Sequence, residues 1–194
     1  KPVDLQQMET AGFTDFAVGA AILGRLGLPQ DDARLRRLVR RYEEHLPDSL
    51  PRRRGCVLVG VREILDHLAG HHPTVRSHLL TGNTRVGALV KLTYYGLAQY
   101  FPSSGGFAED IGDRTVIARR ALDLAVQERP APLDRVFVIG DTPHDVRCGH
   151  HLGVKTIAVA TGDYSVDALL THRPWLAVPR LPDPSVFVAM LDGL

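Results

Sequence analysis

Val136-Phe137-Val138-Ile139-Gly140-Asp141-Thr142-Pro143-His144-Asp145-Val146 is the stretch that decides the fold. Its first four residues are apolar, β-branched or aromatic, and Gly140 ends them. That pattern reads as a short buried strand of a parallel sheet. Open α/β sheets bind ligands beyond the carboxyl ends of their strands. Asp141 and Asp145 lie on the segment leaving this strand, and two carboxylates are hard oxygen donors suited to Mg²⁺. The same two residues would also turn the chain and cap the helix that follows.

Helix and strand alternate on both sides of this stretch. Before it, a helix is expected over Arg114 to Val126, entered through Gly112-Asp113, and another over Val86 to Tyr95 with Gly96 near its end. Earlier still come a short strand from Val75 to Leu80, ending at Thr81-Gly82-Asn83, and a helix from Val61 to Leu68 stopped by Gly70. After it follow a helix over His144 to Leu152, a strand Thr156 to Val159, a short helix Ser165 to Leu170, a strand Leu176 to Val178 and a last helix Val186 to Leu191. Such alternation predicts an α/β fold with a parallel, doubly wound sheet.

The N-terminal part is different in character. Thr14-Asp15 caps a helix through Phe16, Val18, Ala21, Ile22 and Leu26, with Gly27 as its stop. Gln30-Asp31 opens a second, with Leu35, Leu38, Val39 and Tyr42 on one face. Two helices without strands do not fit a parallel sheet, so residues 1–54 are expected to form a helical cap and residues 55–194 the α/β core. Arg34, Arg36, Arg37, Arg40 and Arg41 fill the rest of the second helix, and Arg52-Arg53-Arg54 prolongs the run. Asp31, Asp32, Glu43 and Glu44 balance it, which favours a solvated amphipathic face over a nucleic-acid patch. Attraction of phosphate toward a nearby cleft stays open.

The totals are those of an ordinary soluble globular protein. At 194 residues, 44% hydrophobic and 23% charged, the chain can bury one substantial core or a core with a modest insertion. A net charge of +1 argues for neither nucleic acid nor an anionic membrane. No apolar run approaches the roughly 20 residues a membrane span needs, and the start KPVDLQQMET is too polar for a signal peptide. Cys56 and Cys148 stand far apart without CxxC spacing, so a reduced, cytoplasmic setting is expected. His71-His72, His144 and His150-His151 read as surface histidines rather than a transition-metal site. Ser103-Ser104 and Gly105-Gly106 read as a loop, without the strand–GxGxxG–helix context of a nucleotide site.

Three chemical groups fall at strand ends or helix starts. Thr81 offers a hydroxyl, and Gly82-Asn83 leads into a helix whose free N–H groups suit an oxyanion, although an ordinary helix cap has the same form. Arg114 opens a helix, where the dipole disfavours a cation. A bound anion would compensate it, as would pairing with Asp110 or Asp113. The acidic loop Asp141 to Asp145 completes the set. A hydroxyl, a cation and a carboxylate-bound metal together describe a site for a phosphoryl group.

These residues resemble the haloacid dehalogenase superfamily, specifically its phosphoglycolate-phosphatase-like members. Gly140-Asp141-Thr142-Pro143-His144-Asp145 is similar to that family's fourth motif, GDxxxD, and Thr81 to its second, a Ser or Thr ending an apolar strand. Gly153, Ala158-Val159-Ala160-Thr161-Gly162 and Leu181-Pro182-Asp183 extend the likeness. The third motif normally supplies Lys. Arg114 stands in its place, whereas Lys91 is the usual residue in an earlier helix, so Arg114 is preferred and Lys91 is read as an exposed helix residue.

The resemblance implies a Rossmann-like core with a helical (C1-type) cap and Mg²⁺-dependent hydrolysis of a small phosphate monoester through an aspartyl-phosphate. Thr81, Arg114 and Asp141 would be catalytic. Thr81, Gly82, Asn83 and Arg114 would hold the phosphate, and Asp141 and Asp145 the Mg²⁺. The implied partner is a small phosphorylated metabolite, without nucleic acid or membrane, and the implied assembly is a monomer or homodimer. The family's first motif, DxDGT, does not occur in these residues. Pro2-Val3-Asp4-Leu5 has one acid and no Gly-Thr turn, while Ala11-Gly12-Phe13-Thr14-Asp15 already resembles the cap. The expectation is therefore that the first strand and its nucleophile precede Lys1. The alternative is a catalytically inactive relative that binds a phosphate metabolite or a protein partner.

Overall fold

The computed structural model describes residues 8, 10–101, 105–109 and 112–193. Pro2 to Leu5, Ser103-Ser104 and Asp110, all considered above, lie outside them. The strand and helix of the quoted stretch are β3 (Phe137–Gly140) and α6 (Pro143–Leu152). Pro143 opens α6, where its missing N–H costs nothing. The Thr142 and Asp145 side chains close a capping box on the first turn. One face of α6, Val146, Cys148, Gly149 and Leu152, is buried.

β3 pairs in parallel with β4 (Lys155–Val159), and β4 with β5 (Leu176–Val178). Phe137 stands opposite Lys155 and Gly140 opposite Ala158. On one face of this sheet Val138 joins Ala118 and Leu122 of α5 (Arg114–Glu128) and Cys148 and Leu152 of α6. On the other, Ile157 and Val159 meet Ile64 and Leu68 of α3 (Val61–His71) and Phe187 of α8 (Pro184–Gly193). Helices on both faces of a parallel sheet make the three-layer α/β architecture that the alternation predicts. The short helix α7 (Val166–Leu170), capped by Ser165, buries Leu169 against Val146 and Ala158.

A second parallel pair, β1 (Leu79–Leu80) with β2 (Gly105–Gly106), precedes α4 (Arg85–Tyr94) and α5 respectively. Here the structure corrects two expectations. The strand predicted over Val75 to Leu80 is two residues long, and Gly105-Gly106 is a strand rather than a loop. Glycines are poor strand formers, but the site has no room for side chains. A Cβ on Gly106 would fall 2.4 Å from the Ile117 carbonyl oxygen, so helix α5 can approach only over glycine. A third correction is smaller: α3 runs through Gly70 to His71 instead of stopping.

The N-terminal helices are α1 (Asp15–Arg25), capped by Thr14, and α2 (Asp32–Ser49), capped by Asp31. Phe16, Leu23, Leu35 and Val39 from these helices bury together with Ala108 and Ile117 of the α/β part. Leu35 is fully buried, worth about 1.5–3 kcal/mol relative to exposure. Along the outer face, Arg34, Arg36 and Arg41 pair with Asp31, Asp32 and Glu44 within the same helix.

Candidate active site

Asp141 leaves the end of β3 half-buried, with its Oδ2 against Gly162, where a Cβ would lie only 2.3 Å away. Desolvation, and then the neighbouring Asp145 carboxylate, push its pKa above the ordinary carboxylate range. Asp163 adds to the rise, while its own backbone N–H and the Arg114 guanidinium oppose it. A carboxylate with raised proton affinity beside a second carboxylate is one that a cation would relieve.

Asp145 is buried and its oxygens are taken. Oδ2 accepts from the Thr142 backbone N–H at 3.1 Å and from the Thr142 hydroxyl at 2.7 Å. Oδ1 accepts from Arg114 Nη2 at 2.6 Å. This ion pair is one of the least exposed in the molecule, at 13% and 9% side-chain exposure. It answers the question posed by a cation at a helix start. Asp113 caps α5 by accepting from Thr115 N–H, and the partner of Arg114 comes instead from α6. Arg114 Nη1 donates to the Gly12 carbonyl at 3.1 Å. Its Nε–H is buried and, among the described residues, has no acceptor.

Thr81 ends β1. Its backbone N–H continues the pairing with β2 by donating to Gly106 O, and its hydroxyl accepts from Asn83 N–H at 3.1 Å and Asn83 Nδ2 at 2.8 Å. Lys91, expected as an exposed helix residue, is half-buried. Its ammonium donates to Asn83 Oδ1 and sits 5.7 Å from the centre of the Tyr42 ring. Sequence reasoning missed this because Asn83 and Lys91 approach each other only once α4 has formed.

Among the described residues no hydrogen bond joins Thr81 directly to Arg114 or Asp141. One segment, Gly12 to Asp15, reaches both groups. On one side, Asp15 N–H donates to Gly82 O at 2.7 Å, and a Cβ on Gly82 would meet Phe13 O at 2.5 Å. On the other, Gly12 adopts φ +76°, and a Cβ there would fall 2.5 Å from His144 Cδ2 and 3.0 Å from Thr142 Oγ1. Phe13 packs against His144 with ring centroids 5.3 Å apart. Glycines at 12 and 82 let this segment lie directly on both loops. Asp15 Oδ2 then accepts from Thr84 N–H, and Glu43 Oε1 from the Thr84 hydroxyl. Burial pushes Asp15 up, against the Thr84 hydrogen bond and Lys91.

Among the described residues no three His, Cys, Asp or Glu side chains gather. With Asp145 engaged by Thr142 and Arg114, the carboxylate at the β3 end left for a hard cation completed by water and phosphate is that of Asp141.

A family model for haloacid dehalogenase-like hydrolases matches residues 7–150. The chain belongs to this family. A second model, for HAD-hydrolase-like proteins, matches residues 117–184. The protein named "Probable phosphatase IndB" of Dickeya dadantii (strain 3937) is 29% identical over 154 residues, covering 79% of this chain. The chain spans 65% of that relative's length. Two solved structures share the fold. A Clostridium difficile protein described as a candidate phosphatase superposes with a TM-score of 0.60 at 19% identity, over 90% of this chain and 75% of its own. A haloacid dehalogenase-like family hydrolase from Streptococcus pneumoniae gives 0.54 at 14%, over 91% of each.

Proposed function

We propose that this haloacid dehalogenase-like protein is a Mg²⁺-dependent phosphatase for a small phosphate monoester. The observation that carries the reading is the Arg114–Asp145 ion pair near the strand-end carboxylate Asp141, in which the buried Arg114 Nε–H has no acceptor among the described residues. Residues 1–54 act as the helical cap and residues 55–194 as the core. The phosphatase name of the Dickeya relative supports the same reaction class. Asp141 would hold the Mg²⁺, and Asp145 would keep Arg114 in place and orient water beside the ion. When bound, the ion offsets charge on the phosphoryl oxygens.

Thr81 donates its hydroxyl to one phosphoryl oxygen, and Arg114 spreads the charge of the others. Gly82 and Asn83 line the same end of β1. Phe13 and the rest of the Gly12–Asp15 segment exclude water from the two loops. The nucleophile is an aspartate from a DxD segment outside these 194 residues, and it forms an aspartyl-phosphate that water hydrolyses. The substrate is a metabolite-sized phosphate ester and the setting cytoplasmic, in keeping with free Cys56 and Cys148. No helix among the described residues is long and apolar enough to cross a membrane. The test is hydrolysis of p-nitrophenyl phosphate by the full-length protein with and without Mg²⁺. Phosphate binding without any turnover would replace the enzyme by a phosphate-binding relative.

A further inference from the structure

The hydrogen bonds at the end of β1 form a directional chain. Lys91 Nζ donates to Asn83 Oδ1, and Asn83 donates to Thr81 Oγ1 from both its backbone N–H (3.1 Å) and its Nδ2 (2.8 Å). An ammonium has three donors and no acceptor, so the amide atom facing it must be the oxygen. That turns Nδ2 toward Thr81. A hydroxyl has two acceptor sites and one proton. With both acceptor sites of Oγ1 occupied by Asn83, the Thr81 proton points away from Asn83, and among the described residues no acceptor takes it.

We infer that Lys91 is a positioning residue that, through Asn83, makes the Thr81 hydroxyl an obligate donor to an oxyanion at the end of β1. The inference rests on the phosphate-site reading above and adds a residue to it. Lys91 is itself braced by the N-terminal helices. Tyr42 of α2 lies 5.7 Å beneath its ammonium, and the half-buried Asp15 of α1 interacts with its charge. The orientation of a core hydroxyl is thereby set by a cation that α1 and α2 hold in place. Without the ammonium, the Asn83 amide could turn its oxygen to Thr81. The hydroxyl would then donate inward, and the oxyanion would face a lone pair.

A two-residue cycle in the full-length protein tests this, read by p-nitrophenyl phosphate kinetics and by calorimetric binding of inorganic phosphate. Thr81→Val should lower kcat/KM about 100-fold, the usual cost of one oxyanion donor. Lys91→Met should lower kcat/KM and phosphate affinity about tenfold when Thr81 is present, but less than about twofold on the Thr81→Val background. Lys91→Arg, again a donor only, should stay within about threefold of wild type. A Lys91→Met loss of equal size on both backgrounds would mean that the ammonium acts through its own charge or packing, and the inference would fall. No loss would sink it as well. If Lys91→Met does not fold, Asn83→Ala takes its place in the same cycle with the same outcomes. A wild type that neither binds phosphate nor turns over the ester would overturn the phosphatase reading first, and this inference with it.

Discussion

The two strand ends that frame the candidate site are built in opposite ways. At the end of β3 the polar contacts are mostly local. Thr142 and Asp145 satisfy each other across three residues, and a single long-range partner, Arg114, completes the group. At the end of β1 the contacts are mostly distant. Gly82 O is bonded by Asp15, and Thr84 by Asp15 and by Glu43. The first loop is a property of its own sequence. The second is a property of how α1 and α2 lie on the core. A loop closed on itself keeps its geometry when its surroundings shift, whereas one held by distant helices moves with them. Of the two strand ends, the end of β1 is therefore the one whose geometry depends on the N-terminal helices.

The largest effect expected is chemical. Asp141→Asn should abolish Mg²⁺-dependent hydrolysis of p-nitrophenyl phosphate by the full-length protein, a drop of at least about 10³-fold. Undiminished turnover would remove the β3 end from the site altogether. Arg114→Ala should come next. It strands the Asp145 carboxylate in a buried position and should cost about 3–5 kcal/mol in urea unfolding. It should also lower activity far more than Lys91→Ala does. The reverse ranking would make the β1 end the dominant one.

Thr84→Val probes the distant contact to α2 together with the local cap of α4. It removes the hydroxyl that donates to Glu43 and accepts from Gly87 N–H, for a loss of about 1–3 kcal/mol. A change below 0.5 kcal/mol would mean that α2 is held by its apolar face only.

The smallest effect is a pH dependence. The folded pKa of Asp141 is raised, so ionising it opposes folding. Between the unfolded value and the folded one, the native state binds more protons and stability falls as pH rises. Asp141→Asn should therefore raise the thermal midpoint at pH 7 without Mg²⁺, and the gain should vanish below about pH 4. Added Mg²⁺ should raise the wild-type midpoint and leave the variant's unchanged.

The elements that were legible in the sequence carry their own boundary chemistry. α1, α2 and α5 begin at Thr14, Asp31 and Asp113, capping residues visible without any structure, whereas α6 is capped by Thr142 with Asp145 and not by Asp141. β3, β4 and β5 were legible as apolar runs, although only the central strand β4 is largely buried and Ile139 of the edge strand β3 is exposed. β1 was expected with its end in the right place but is shorter than the predicted Val75 to Leu80, and β2 escaped, because its glycines follow from the approach of neighbours, with Gly106 chosen by the α5 backbone. Asp141, Asp145, Thr81 and Arg114 stood out by residue type and position. Their partners did not. That Arg114 pairs with Asp145 rather than Asp113, that Lys91 reaches Asn83, and that Gly12 to Asp15 lies on both loops all depend on residues far apart in the chain.

By itself, then, the sequence determined the α/β alternation, the helix caps and the acidic loop after β3. Each of these is settled within one helical turn or one strand by dihedral preference, periodicity and local hydrogen bonding. Only the tertiary structure decided which cation serves which loop and which distant helices hold the end of β1. Those choices belong to buried polar groups, which must find partners wherever packing brings a donor and an acceptor together.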